Sequence, residues 1–241
     1  QTPNAPQMGV SPVTPLLAEE LVRRAPASIG KALFTNSGTE AVEAAIKLGR
    51  AATGRGRVVC VEHAFHGLTL GSLSINGEAA FTDRFGPYLP GVARISFDDL
   101  DALEAELRHE DVALFVVEPI LGKGVILPSD GYLAGAQELC RRYGTLFCLD
   151  EVQTGFGRTG RLFAAEHWGL EPDMVVVAVE EHQITQLQIR PCDRPATAVL
   201  LSRRMRQAYA DRSPGHHCQS RAVPGARPGT AAHVGLTELG L

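Results

Sequence analysis

The chain lacks the features that would place it in several large functional classes. No apolar run in its 241 residues approaches the ~20 needed to cross a bilayer. The start, Gln1-Thr2-Pro3-Asn4, has no basic stretch followed by an apolar one, so no secretory leader is expected and the cytoplasm is the expected compartment. Its five cysteines, Cys60, Cys140, Cys148, Cys192 and Cys218, include no C-x-x-C pair, which argues against both a zinc site and a disulfide framework. No internal repeat is visible, and no lysine follows Lys123. What is present is globular: 44% hydrophobic and 21% charged residues, enough to exclude wholesale disorder.

Charge divides the chain unevenly. Residues 1–178 carry 15 Lys/Arg against 22 Asp/Glu, whereas 179–241 carry 8 Arg against 5 acids. No aromatic residues interleave with those arginines, and Pro and Gly are scattered among them, so a solvated tail fits better than a nucleic-acid surface. Neither nucleic acid nor membrane is expected as a partner.

Between residues 14 and 178, short apolar runs at 31–35, 57–61, 92–96, 112–117, 145–149 and 174–178 alternate with amphipathic patterns at 39–52, 98–108 and 131–143. An earlier helix opens at Thr14-Pro15. Several of the runs are continuous, as strands buried on both faces are. The pattern predicts an α/β fold, a mostly parallel sheet with helices on both faces. Residues 179–194 have no clear period; a strand at 197–201 and a helix at 202–210 follow, and beyond Asp211 closely spaced Pro and Gly defeat both helix and strand.

Three segments can carry chemistry. In Asn36-Ser37-Gly38-Thr39-Glu40-Ala41 a strand gives way to a helix, and Ser37 and Glu40 have capping-box spacing. The same turn can cradle a phosphate: helix-start amides and the Ser37 and Thr39 hydroxyls face the positive end of the dipole, and Gly38 admits a close ligand. His63-Ala64-Phe65-His66-Gly67 follows a strand end, where an aromatic ring can stack on a flat cofactor. Leu149-Asp150-Glu151-Val152-Gln153 puts two acids at a strand's carboxyl end, where α/β sheets bind ligands. A protonated ring nitrogen would compensate a buried carboxylate there; a capped turn with a solvated Asp-Glu pair is the alternative. Gly155–Gly160 also matches G-x-G-x-x-G, but Asp150 and Glu151 would repel a pyrophosphate, so a nicotinamide or flavin site is not expected.

Taken in order, NSGTEA at 36–41, HAFHG at 63–67, VEP at 117–119 and LDEVQTGFGRTG at 149–160 resemble the class-III aminotransferases, pyridoxal-phosphate enzymes of fold type I that include ornithine, acetylornithine and 4-aminobutyrate transaminases. The resemblance covers residues 7–178 and, faintly, 195–210. It implies an incomplete fold-type-I large domain at 31–210, altered at 179–194, with 1–30 leading into it and a degenerate, disordered tail at 211–241. It further implies pyridoxal 5'-phosphate as cofactor, an amino-acid or amine donor with a 2-oxo acid acceptor, and a homodimer. By resemblance, Ser37, Gly38 and Thr39 bind the phosphate, Phe65 stacks on the ring and His66 shapes the turn. Asp150 holds the ring nitrogen protonated, Val152 packs on the other face, Gln153 reaches the phenolic oxygen, and Glu118 stands on the substrate side. The departure is Val179, which occupies the position of the family's Schiff-base lysine. No catalytic residue is then intact, and relative to the family the chain is truncated. An altered stretch flanked by good matches is also what a reading-frame disruption leaves.

Overall fold

The computed structural model describes residues 13–178 and 197–202, together with Met205. Helix α1 (Val13–Arg24) leads into strand β1 (Ile29–Thr35), followed by α2 (Gly38–Thr53), β2 (Arg57–Val61), the short α3 (Leu70–Ser74) and α4 (Ala79–Thr82), and β3 (Val92–Ile95). Next come α5 (Leu100–Leu107), β4 (Val112–Val117), α6 (Tyr132–Tyr143), β5 (Leu146–Asp150), a 3₁₀ turn at Ala164–Trp168, β6 (Met174–Ala178) and β7 (Thr197–Ser202). The strands form one sheet in the order β1-β7-β6-β5-β4-β2-β3. Pairings among β2 to β6 are parallel, and β7 runs antiparallel to both β1 and β6. The expected α/β class with a mostly parallel sheet is what the chain adopts.

Strand alternation sorts the core onto two faces. Val58, Cys60, Leu114, Val116, Leu146, Cys148, Met174 and Val176 point to one side, where Ala41, Val42, Ala45 and Ile46 of α2 cover them. Their odd-numbered neighbours, Val59, Val61, Phe115, Val117, Phe147, Leu149, Val175 and Val177, meet Leu21 of α1, Leu103 and Leu107 of α5, and Leu133 and Ala136 of α6. Every residue of β4, β5 and β6 is buried, which is why these strands read as unbroken apolar runs. At about 1.5–3 kcal/mol per fully buried large side chain, this two-sided burial is the main stabilising term.

Local signals set the ends of α2. Ser37 is extended (φ −153°, ψ 158°) and accepts a hydrogen bond from the amide of Glu40, and Gly54 closes the helix in the left-handed region (φ 67°). Glu40 reaches back to the amide of Asn36 rather than to that of Ser37, so the expected capping box is displaced by one residue.

The structure differs from expectation in three places. Strand β5 runs one residue farther, so Asp150 is itself a strand residue. Ser202 ends β7 instead of opening a helix, since its amide is held by the Asp173 carbonyl at 2.7 Å; the rest of the expected helix, Met205 apart, lies outside the described residues. Helices α3 and α4 and the 3₁₀ turn had no periodic signature. α3 is held by a distant side chain: Glu43 accepts from the amides of Gly71 and Ser72. Val179, the altered stretch at 179–194 and the tail at 211–241 lie outside the described residues. Among those described, no helix is long and apolar enough to cross a membrane, and no cluster of His, Cys, Asp and Glu is placed to hold a metal ion.

Candidate functional site

Because β2, β4, β5 and β6 run parallel, their carboxyl ends share one edge of the sheet, the edge where open α/β sheets bind ligands. Three segments far apart in sequence meet there. A Cβ placed on Gly38, at the start of α2, would sit 3.2 Å from both methyls of Val152. One placed on Gly67, which has φ +120°, would lie 2.4 Å from the Thr39 hydroxyl oxygen. His66 Nδ1 is 2.7 Å from Asp150 Oδ2. The turn at 37–39, the turn at 65–67 and the tip of β5 thus touch one another pairwise, and the contact at Gly67 needs glycine.

Asp150 and His66 are both 3% exposed. A carboxylate only accepts, so Nδ1 carries the proton in this pair, and Asp150 Oδ1 accepts from the amide of Val152 at 3.1 Å. Each oxygen keeps a lone pair for a further donor. Nε2 of His66 is buried and has no hydrogen-bond partner among the described residues. Glu118, also 3% exposed, stands close by. Burial raises its pKa above the usual carboxyl range; His66 pulls it down and Asp150 pushes it up. Both Glu118 oxygens are engaged by backbone, Oε1 by the amide of Phe65 and Oε2 by that of Gly122, each at 2.9 Å. The Phe65 ring meets Phe81 edge-on, with centroids 5.1 Å apart.

The hydroxyls proposed for an anion already have partners. Ser37 caps α2, and Thr39 Oγ1 lies 2.8 Å from Thr69 Oγ1 and 2.6 Å from Ser72 Oγ. What the turn leaves for an anion is the amides of Gly38 and Thr39, since Ser37 takes that of Glu40. Gln153 is exposed and lies over Gly122, where a Cβ would fall 2.0 Å from its side-chain oxygen. Glu151 points away from this site. It is fully buried, accepts from the amides of Ala164 (2.6 Å) and Ala165 (2.9 Å), and burial pushes its pKa up to about 7. A solvated acidic pair is therefore not what the strand tip carries. Residues 155–160 form consecutive turns with no helix behind them, so the glycine pattern there lacks the strand-to-helix setting of a dinucleotide site.

One participant, Asn76, gave no sequence signal. Asn76 is fully buried; its side chain accepts from the amide of His66 (2.7 Å) and donates to the carbonyl of Gly67 (2.9 Å). Lys123 pairs with Glu78 and lies 5.6 Å over the Phe81 ring.

Comparison with known proteins matches residues 8–181 to the family described as aminotransferase class-III. An aminotransferase PigE of a Serratia species is 46% identical over 67% of this chain and 19% of its own length. A putrescine aminotransferase of Pectobacterium atrosepticum is 42% identical over 70% of this chain and 38% of its own. The chain thus spans well under half the length of these relatives. Among solved structures, a taurine:2-oxoglutarate aminotransferase of Bifidobacterium kashiwanohense, in complex with PLP and glutamate, superposes with a TM-score of 0.75 at 30% identity, covering 88% of this chain and 51% of that one.

Proposed function

This chain belongs to the class-III aminotransferase family, and from that premise we propose that it binds pyridoxal 5'-phosphate at the shared strand edge but does not complete amino transfer. The observation that carries the reading is the pairwise contact of the turns at 37–39 and 65–67 with the tip of β5. The donor set fits the cofactor: an acid with spare acceptor capacity, a helix start with free amides, and an aromatic side chain on the turn between them. When bound, pyridoxal phosphate supplies an electron-withdrawing ring that accepts the electron pair left by α-proton removal.

The chain's own residues then have separable tasks. The amides of Gly38 and Thr39 bind the phosphate, favoured by the helix dipole. Asp150 holds a proton at the ring nitrogen, and His66 orients Asp150. Phe65 and Val152 would flank the ring, and Gln153 would be the side chain available to its phenolic oxygen. Glu118, expected on the substrate side, acts there by fixing Phe65 through its amide. Val179 stands where the family has a lysine, and a valine can neither hold the cofactor covalently nor move a proton. Loss of general acid–base catalysis alone removes ~10²–10⁴ in rate. Lys123 pairs with Glu78 at an exposed position and is not proposed to replace it.

By lineage the reaction is transfer from an amino acid, ω-amino acid or diamine to a 2-oxo acid in a cytoplasmic homodimer. In this chain the retained function is that of a non-catalytic cofactor-binding module, with 31–210 as the binding domain, 1–30 leading into it and 211–241 as a tail. The test is titration with pyridoxal phosphate, followed by borohydride reduction and peptide mass spectrometry. Saturable, dialysable binding with no pyridoxyl-lysine is expected. No saturable binding would overturn the cofactor reading; a labelled lysine or turnover with a 2-oxo acid would overturn the inactivity.

A further inference from the structure

The turn at 64–67 belongs to no helix or strand, yet Ala64 and His66 are buried and Phe65 and Gly67 half-buried, so its polar groups need partners. They come from three places. Glu118 takes the amide of Phe65, Gly77 donates its amide to the carbonyl of Ala64 at 2.9 Å, and Asn76 takes the amide of His66 and the carbonyl of Gly67. Its Oδ1 accepts from His66 N and its Nδ2 donates to Gly67 O, so one side chain bridges the peptide group before His66 and the one after Gly67. The amide orientation is fixed by those partners, since one can only donate and the other only accept.

Asn76 is itself anchored. Its carbonyl accepts from Nε of Arg94, on β3, at 2.8 Å, and the same guanidinium reaches the carbonyl of Ser74 at 2.5 Å. Gly77 follows so closely behind the turn that a Cβ there would fall 2.3 Å from the amide nitrogen of His63 and 2.6 Å from that of Ala64. Residues 76–77 therefore lie along the back of the turn as a short splint.

We propose that Asn76 is a positioning residue of the cofactor site, whose side-chain amide holds the turn at 64–67 so that the His66 ring meets Asp150. Its effect on cofactor affinity rests on the function proposed above; its effect on the His66–Asp150 pair does not. The side chain must offer an acceptor and a donor at once. Aspartate would face the Gly67 carbonyl with a second oxygen, and leucine would leave both peptide groups unpaired.

The test uses the full 241-residue chain without cofactor and follows the His66 Nδ1 proton by NMR, assigned by its disappearance in His66→Gln. In Asn76→Asp that hydrogen-bonded resonance is expected to be lost to solvent exchange, and pyridoxal-phosphate Kd to rise about ten-fold, as for one lost hydrogen bond. Asn76→Ser, whose hydroxyl is too short to bridge both groups, is the second variant and should lose the resonance as well. Leu103→Ala, a core substitution on α5 that has no hydrogen bond to the turn to lose, should lower Tm while keeping both the resonance and the affinity. The proposal is overturned if Asn76→Asp and Asn76→Ser keep the Nδ1 resonance, or if Leu103→Ala loses it equally. If the parent chain binds no pyridoxal phosphate, the function proposed above fails, and the NMR comparison still decides the role of Asn76.

Discussion

Asp150 and Glu151 are adjacent acids at one strand tip, and the structure uses them in opposite ways. Asp150 ends β5 on the face covered by α2 and meets a side chain, His66, that arrives from another turn. Glu151 faces the other way and closes the start of the 3₁₀ turn at 164–168 through two backbone amides. One carboxylate keeps acceptor capacity toward the ligand edge; the other is engaged by the protein's own backbone. The contrast teaches that alternation along a strand, rather than charge or sequence proximity, divides a site residue from a scaffold residue.

The comparison can be broken most forcefully at Glu151. Glu151→Ala leaves the amides of Ala164 and Ala165 buried without acceptors and is expected to cost about 2–5 kcal/mol in urea unfolding; a loss below 1 kcal/mol would mean the acid is not structural. The same residue sets a pH dependence. A carboxyl whose pKa rises from 4.5 unfolded to about 7 folded takes up a proton on folding between those values. Stability should therefore fall as pH rises through that window, by of order 3 kcal/mol, and be level on either side. Burial shifts Glu118 in the same direction, and its contribution has the same sign. Unfolding curves at intervals from pH 4.5 to 8 would check this, and the slope should shrink in Glu151→Gln.

Asp150→Asn should do the reverse. It keeps the shape but sets an NH2 against one of two donors, so Tm should fall less than in Glu151→Ala, while pyridoxal-phosphate affinity, read by fluorescence titration, falls about 10–100-fold for a lost charged hydrogen bond. Equal effects on stability from the two substitutions would erase the distinction. The smallest effect is expected at Gly38→Ala. Its Cβ would press on Val152 at 3.2 Å, a clash relieved by a shift of a few tenths of an ångström. A few-fold loss of affinity, on the order of 1 kcal/mol or less, is expected by the same titration.

Most of the fold was legible because β4, β5 and β6 are buried on both sides and α2 carries its own stop signals at Ser37 and Gly54. The short α3 and the 3₁₀ turn were not, because the acids that stabilise them, Glu43 and Glu151, sit 28 and 13 residues upstream of the amides they cap. Asp150 could be singled out from its place after an apolar run. Nothing in Ser74-Ile75-Asn76-Gly77 distinguishes Asn76 from an ordinary loop residue, since its role exists only once the turn at 64–67 lies against it.

The amino-acid sequence by itself determined the alternation of strands and helices, the glycines that permit close approach, and the absence of a lysine beyond residue 123, because each is a property of local pattern or of composition. Only the tertiary structure decided which acid faces His66, which is satisfied by backbone, and which asparagine holds the turn. Those assignments depend on the direction each side chain takes from its strand and on what another segment brings within 3 Å, and neither is written in the neighbouring residues.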